Sequence, residues 1–204
     1  MGKHQLDLFG LESVTRAPDH EIISGLRRLH GSGGRWLDAT AGKRIMWRGS
    51  IWRPSVFLDV NEERAPAVCG SYYAMPFASD VFGGVVFDPP HLPANYSAGA
   101  NGFRERYGLE AGTADMGHVL IELARVLKPG GLLLVKLCDY VQSCRYVFAL
   151  VDAVNALRAA GFRCRDLVVK VRRIGPVSGS WKTQQHTRRA HSWWIAATNH
   201  GGAS

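Results

Sequence analysis

An α/β fold, in which a mostly parallel sheet is covered by helices on both faces, is predicted by three features of the sequence. Short apolar runs end on aspartate, amphipathic helical stretches lie between them, and glycine-containing stops separate the two. Asp19 stands before a periodic stretch, Ile22-Ile23, Leu26 and Leu29, that halts at Gly31-Ser32-Gly33-Gly34, the N-cap and glycine-stop pattern of a short helix. Arg35 to Ala39 then reads as a strand. Val56 to Val60 and Gly84 to Asp88 read as two more, and the aspartates that end these runs (Asp38, Asp59, Asp88) fit buried parallel strands whose carboxyl ends face a ligand. Met116, Val119-Leu120, Leu123 and Val126-Leu127 recur at helical spacing, and Lys128-Pro129-Gly130-Gly131 breaks that helix ahead of a strand from Leu132 to Leu137. A further helix is expected from about Cys144 to Ala160, ended by Gly161. Two β-rich runs, Asp166 to Ile174 and Ser192 to Thr198, then flank a basic loop as a terminal strand pair. Sheets of this kind bind ligands beyond the carboxyl ends of their strands.

The 204 residues suffice for one sizeable core, so residues 19–204 are expected to form a single domain behind a flexible segment, 1–18. The chain is 46% apolar and 21% charged. No apolar run approaches the ~20 residues of a membrane span, and MGKHQLDLFG has no apolar h-region, so a cytoplasmic protein without membrane attachment is expected. Four cysteines (Cys69, Cys138, Cys144, Cys164) form no C-x-x-C pair. They suggest neither zinc nor a disulfide framework and are expected as reduced thiols, mostly in the core. A net charge of +8 and a pI near 9.6 attract polyanions, which makes nucleic acid a candidate partner, although the same charge also serves solubility.

Leu37-Asp38-Ala39-Thr40-Ala41-Gly42-Lys43-Arg44 reads as a strand end, a tight turn of small residues and a helix from near Ile45. Such a turn lets backbone approach a ligand closely, and a helix amino terminus favours an anionic group. Asp59, at the next strand end, can accept two hydrogen bonds from ribose hydroxyls. From about Gly34 to Ala197 the chain resembles the class I S-adenosylmethionine-dependent methyltransferases, Asp38 to Gly42 matching motif I and Asp59 motif II. The resemblance implies a Rossmann-like, mostly parallel seven-stranded sheet with a C-terminal antiparallel strand pair, and S-adenosyl-L-methionine as cofactor. It assigns the cofactor to Asp38, Ala39, Thr40, Ala41, Gly42, Lys43, Asp59 and Val60, with Tyr72 and Tyr73 where the family places an acidic residue near the adenine. The turn departs from the family in having only Gly42 where two or three glycines are usual. Lys43 and Arg44 are alternative holders of the cofactor carboxylate, or simply solvated, and Asp38 taken alone also fits a helix-capping carboxylate.

Asp88-Pro89-Pro90-His91 resembles motif IV of the amino-methyltransferases that modify exocyclic nitrogens, adenine N6 and cytosine N4 above all. The lone pair of such an amine is delocalised into its ring, so a site must accept both amine hydrogens to draw the nitrogen towards tetrahedral geometry. The resemblance gives that role to Asp88 and the Pro89 carbonyl, held rigid by the two prolines, and gives base stacking to His91, where Tyr, Phe or Trp is usual. No metal and no nucleophilic residue is required. An ordinary Asp-Pro-Pro turn is the bland alternative.

No insertion is large enough for a separate target-recognition region. Two segments mix basic and aromatic residues as a base-stacking, phosphate-binding loop would: His91 to Gly112, with Tyr96, Arg104 and Arg106, and Trp181 to His191, with Lys182, His186, Arg188 and Arg189. Gln5-Leu6-Asp7-Leu8-Phe9 resembles the pentapeptide by which bacterial proteins dock on the DNA sliding clamp, and it favours DNA over RNA as substrate. The expected function is therefore methylation of an exocyclic base amine, adenine N6 in DNA first. The alternatives are an RNA base methyltransferase, a catalytically silent nucleic-acid-binding subunit and a small-molecule methyltransferase.

Overall fold

The computed structural model describes residues 10–31, 33–89, 116–142, 145–172, 186–187 and 189–200, and the architecture below is that of these residues. Ten strands are described: β1 (Val14–Thr15), β2 (Trp36–Asp38), β3 (Val56–Asp59), β4 (Val68–Cys69), β5 (Phe82–Phe87), β6 (Leu127–Leu137), β7 (Tyr140–Gln142), β8 (Arg145–Val147), β9 (Phe162–Val171) and β10 (His191–Asn199). Three α-helices accompany them: α1 (Asp19–His30), α2 (Met116–Val126) and α3 (Ala149–Ala159).

The main sheet has the order β1-β9-β10-β6-β5-β2-β3-β4. All neighbours run parallel except β10, which is antiparallel to both β9 and β6. The seven strands and the C-terminal antiparallel pair are thus present, with two-residue β1 added beside β9 (Val14↔Val169). Leu11 to Ala17, which the sequence placed in the leading segment, is tied to the sheet through β1, and Val169 N–H donates to the Ser13 carbonyl at 2.7 Å.

Side chains alternate across the sheet as a pleated strand requires, and β6 serves both cores. Leu132 and Leu134 join Ile22, Ile23 and Leu26 of α1 with Trp36, Trp47 and Trp194 on one face. Leu133, Val135 and Leu137 meet Val119, Leu120 and Leu123 of α2 and Ala153 and Leu157 of α3 on the other. The chain leaves β2 towards β3 and β4, then returns to build β5, β6, β10 and β9 on the opposite side. The order therefore reverses between β2 and β5, and the crevice beyond their carboxyl ends is the binding position of an open α/β sheet.

Four local expectations need correction. Asp19 does not cap α1: Pro18 occupies the N-cap and Asp19 is the first helical residue, its carboxylate turned to lysines. The stretch from Ile45 forms a single 3-10 turn, Ile45–Trp47, between left-handed Arg44 (φ 54°) and left-handed Gly49 (φ 78°). The helix expected from Cys144 begins at Ala149, because Arg145–Val147 pairs with Tyr140–Gln142 as a hairpin, and Asp139 accepts the Leu150 N–H at 3.1 Å at the helix start. Of the cysteines, Cys69 is exposed while Cys138 and Cys164 are half-buried, so none of these three belongs to the core; Cys144 lies outside the described residues. Among the described residues no helix is long and apolar enough to cross a membrane.

Candidate active site

Asp38 ends β2 fully buried. Its Oδ1 accepts the Thr40 N–H at 3.0 Å and its Oδ2 accepts the Trp47 Nε1–H at 2.7 Å, which folds the 39–47 segment back over the strand end. Burial pushes its carboxyl up to about 6, the two N–H donors pulling it back and nearby Asp88 and Asp59 adding to the rise. Neighbouring strands fix the turn further: Ala39 N–H donates to the Val86 carbonyl at 2.9 Å and Ala41 N–H to the Leu58 carbonyl at 3.0 Å. Gly42, at φ 49°, donates its N–H to Asp59 Oδ2 at 2.6 Å, and Asn61 N–H reaches Asp59 Oδ1 at 2.8 Å. A glycine at the left-handed position turns the chain so that its amide meets the next strand end.

Asp88 follows β5, and its backbone N–H donates to Thr40 Oγ1 at 2.8 Å, so the ends of β2 and β5 are joined directly. Its Oδ2 accepts from Lys136 Nζ at 3.1 Å. Lys136, near the end of β6, also donates to Asp19 Oδ2 at 3.3 Å, and Asp19 in turn pairs with Lys170 at 2.7 Å and accepts Trp194 Nε1–H at 3.0 Å. Burial works against the Lys136 ammonium, but the Asp88 and Asp19 carboxylates outweigh it and the net shift is upward.

These groups open on one cavity of about 500 Å³, within the size range of small-molecule sites. Ala39, Thr40, Ala41, Gly42 and Lys43 line it from the turn, Asp59 and Val60 from β3, and Tyr72 from beyond β4. Asp88 and Pro89 line it from β5, with Lys136, Lys170 and Asp19 beside them. Two expected cofactor residues do not line it: Asp38 sits behind the turn with both oxygens engaged, and Tyr73 packs against the core. Arg44 is drawn away as well, donating to the Ala65 carbonyl at 2.6 Å with its guanidinium 4.6 Å from the Phe57 ring centre. Of the second basic segment, the His186 ring lies 6.4 Å from that of Tyr146, and Arg189 is close enough to Tyr146 to offset part of the rise that burial and Asp139 impose on its hydroxyl; neither lines the cavity. Pro90, His91, Tyr96, Arg104, Arg106, Lys182, Arg188 and the Gln5 to Phe9 peptide lie outside the described residues.

Sequence reasoning passed over Lys136 and Lys170, and read Asp19 as a cap. A signal for Lys136 was present: it is the one charge near the carboxyl end of an otherwise apolar strand, Leu132 to Leu137.

No protein-family model matches the sequence, and no curated protein matches it significantly. Solved structures are similar at low identity. A chain from the complex of the Haloferax volcanii Trm112 methyltransferase activator is 17% identical, with TM-score 0.57 over 92% of this chain and 91% of that one. The protein BH2331 of Bacillus halodurans C-125, named as a methyltransferase, is 16% identical, with TM-score 0.56 over 88% of this chain and 99% of that one. The [4+2]-cyclase SpnF is 18% identical at TM-score 0.50, over 74% of this chain; the protein spans only 60% of the SpnF chain. A cyclase beside methyltransferases means that fold alone does not fix the chemistry. What these likenesses establish is the architecture: the chain has the Rossmann-like fold of the class I methyltransferases.

Proposed function

We propose that this protein is an S-adenosylmethionine-dependent methyltransferase that modifies an exocyclic amino group of a nucleic-acid base, adenine N6 in DNA first. The observation that carries the reading is the joining of its two halves: Asp88 and Pro89 line the same cavity as Asp59 and the 39–43 turn, and Thr40 ties the two strand ends together.

The residues present fit the cofactor. The turn offers small side chains and backbone at the cavity wall, and the cavity has the volume of a nucleoside-sized site. Asp59 spends one acceptance on each oxygen for the Gly42 and Asn61 amides; a carboxylate has about four lone-pair sites, which leaves acceptors for two ribose hydroxyls. Tyr72 and Val60 supply apolar wall for an adenine, and Lys43 is a cation for the amino-acid carboxylate. Asp38 acts through the shape of the turn rather than by touching the ligand.

When bound, S-adenosylmethionine supplies a methyl group on a sulfonium, open to in-line displacement. What the chain contributes is the position of the acceptor amine. Asp88 accepts one amine hydrogen and the Pro89 carbonyl the other, which frees the nitrogen lone pair. His91 stacks on the base, and the segments with Tyr96, Arg104 and Arg106 and with Lys182, His186, Arg188 and Arg189 hold the neighbouring strand. A stacked duplex base cannot reach Asp88, so the substrate is single-stranded or flipped out, at a cost of roughly a few kcal/mol. Gln5 to Phe9 docks on a bacterial sliding clamp, which would bring the enzyme to replicating DNA. Retention of clamp pull-down after deletion of these five residues would rule that docking out.

Labelled methyl transfer into single-stranded DNA, duplex DNA and total RNA, followed by nucleoside mass spectrometry, tests the main reading. N6-methyladenine in DNA is expected, with Asp88→Ala lower by about 100-fold or more. Label confined to RNA moves the substrate, and no label in any nucleic acid overturns the reading.

A further inference from the structure

Lys136 and Asp88 stand side by side at the carboxyl ends of adjacent strands, 3.1 Å apart, and both line the cavity. One is a hydrogen-bond donor and the other an acceptor. An ammonium has three N–H donors, and two of those on Lys136 go to Asp88 and Asp19. The third is left for a ligand, on a side chain that retains 15% exposure. The lysine is held firmly in that position, since Asp19 lies beneath it and the Trp194 ring centre is 5.7 Å from Nζ.

Among the described residues, the charges of this group cancel. Asp19 and Asp88 are balanced by Lys136 and Lys170 at distances of 2.7 to 3.3 Å. A balanced quartet suits a neutral acceptor, which adds no uncompensated charge to a half-buried site. Adenine and cytosine are neutral and carry, on two nitrogens bonded to the same carbon, an N–H donor on the exocyclic amine and a lone pair on the ring nitrogen.

We infer that Lys136 is a specificity-determining residue that reads this amidine edge together with Asp88, the carboxylate accepting from the exocyclic amine while the ammonium donates to the neighbouring ring nitrogen, N1 in adenine. The inference rests on the proposed base-methylation reading and deepens it. The Lys136 contact selects and orients the base; the nucleophilicity of the amine comes from Asp88 and Pro89. A thymine or uracil, with a carbonyl oxygen in place of the amine, meets the Asp88 carboxylate acceptor to acceptor and is rejected.

The test compares kcat/KM on single-stranded oligonucleotides carrying adenine or 1-deazaadenine, which keeps the amine and replaces N1 by C–H. Wild-type enzyme is expected to prefer adenine by about tenfold or more, since a site built to donate to a lone pair loses a charged hydrogen bond with the analogue. Lys136→Met is expected to be slow on both and to show no preference, and Lys136→Arg to retain part of it. Thermal melting and S-adenosylhomocysteine binding of both variants separate misfolding from lost recognition. Equal wild-type rates on the two oligonucleotides, or an undiminished preference in Lys136→Met, would overturn the role of Lys136 while leaving base methylation standing. Absence of wild-type methylation of the adenine oligonucleotide, made as DNA and as RNA, would overturn adenine as the substrate and this role with it.

Discussion

Trp47 Nε1–H donates to Asp38 Oδ2 at 2.7 Å, and both side chains are closed to solvent. This bond ties the one 3-10 turn of the cofactor-side loop to the end of β2. Trp47 is in turn set edge-on against Trp52 and Phe57, at ring-centre distances of 5.9 and 6.4 Å. The turn therefore keeps its shape by packing and a buried carboxylate instead of by a run of glycines.

The same carboxylate makes stability depend on pH. Burial raises its folded pKa from 3.8 to about 6, so the folded state holds the proton more tightly than the unfolded chain. The contribution of a raised carboxyl group is fully present below the unfolded value and is lost as pH climbs through the folded one. Over that window the loss is about 3 kcal/mol. With Asp38→Asn as reference, the unfolding free energy of wild type relative to the variant should fall between about pH 4 and about pH 6.5 and then stay level. A difference that does not vary with pH would mean that the buried carboxyl does not titrate in this range.

Thr40 couples the turn to the acceptor end of the site through the 2.8 Å bond from Asp88 N–H. Thr40→Val keeps the volume and leaves that amide without its partner, at a cost of about 1–3 kcal/mol. Methyl transfer should drop about tenfold in kcat, with a smaller change in S-adenosylhomocysteine affinity, and Thr40→Ser should restore most of it. Loss of affinity with kcat unchanged would place Thr40 on the cofactor alone.

Asp59 accepts from two loop amides, and under the proposed function it holds the ribose as well. Asp59→Ala should weaken S-adenosylhomocysteine binding by roughly 10- to 100-fold, the range of one or two hydrogen bonds to a charged group. Titration calorimetry measures this directly, and an unchanged Kd would remove the ribose assignment.

The strand ends were legible in the sequence because a short apolar run closed by a carboxylate is what a buried strand pointing at a ligand requires, and Asp38, Asp59 and Asp88 all lie at such ends. What those carboxylates do was less legible. A sequence cannot tell that Asp38 faces an indole nine residues on, or that Asp19 turns from the helix it begins to Lys136 and Lys170 on distant strands. Side-chain pairing of this kind is decided by sheet order, which local pattern does not encode. The β7–β8 hairpin was missed because Tyr146, Val147 and Phe148 run straight into the apolar face of α3, where helical and strand periods cannot be separated over so few residues. Two-residue β1 owes its pairing wholly to β9.

Gly84 was legible as part of a strand, and the structure gives the reason it is glycine. A Cβ there would fall within the Trp36 ring, which is 1% exposed and packs nearly perpendicular to the Trp52 ring, 5.2 Å between ring centres. A glycine inside a strand often marks such a close approach, and here an indole lies against the central strand that leads to Asp88. Gly84→Ala should therefore lower the unfolding free energy by about 3 kcal/mol or more, at the upper end of overpacking costs, since neither ring nor strand has room to move. Trp36→Leu alone should cost a similar amount, about 3 kcal/mol, by leaving a cavity. Combined in one chain, the two changes should cost clearly less than their sum, because the methyl added at one site enters the space vacated at the other. Denaturant unfolding of the four proteins closes this cycle, and strict additivity would mean that something other than the indole keeps position 84 a glycine.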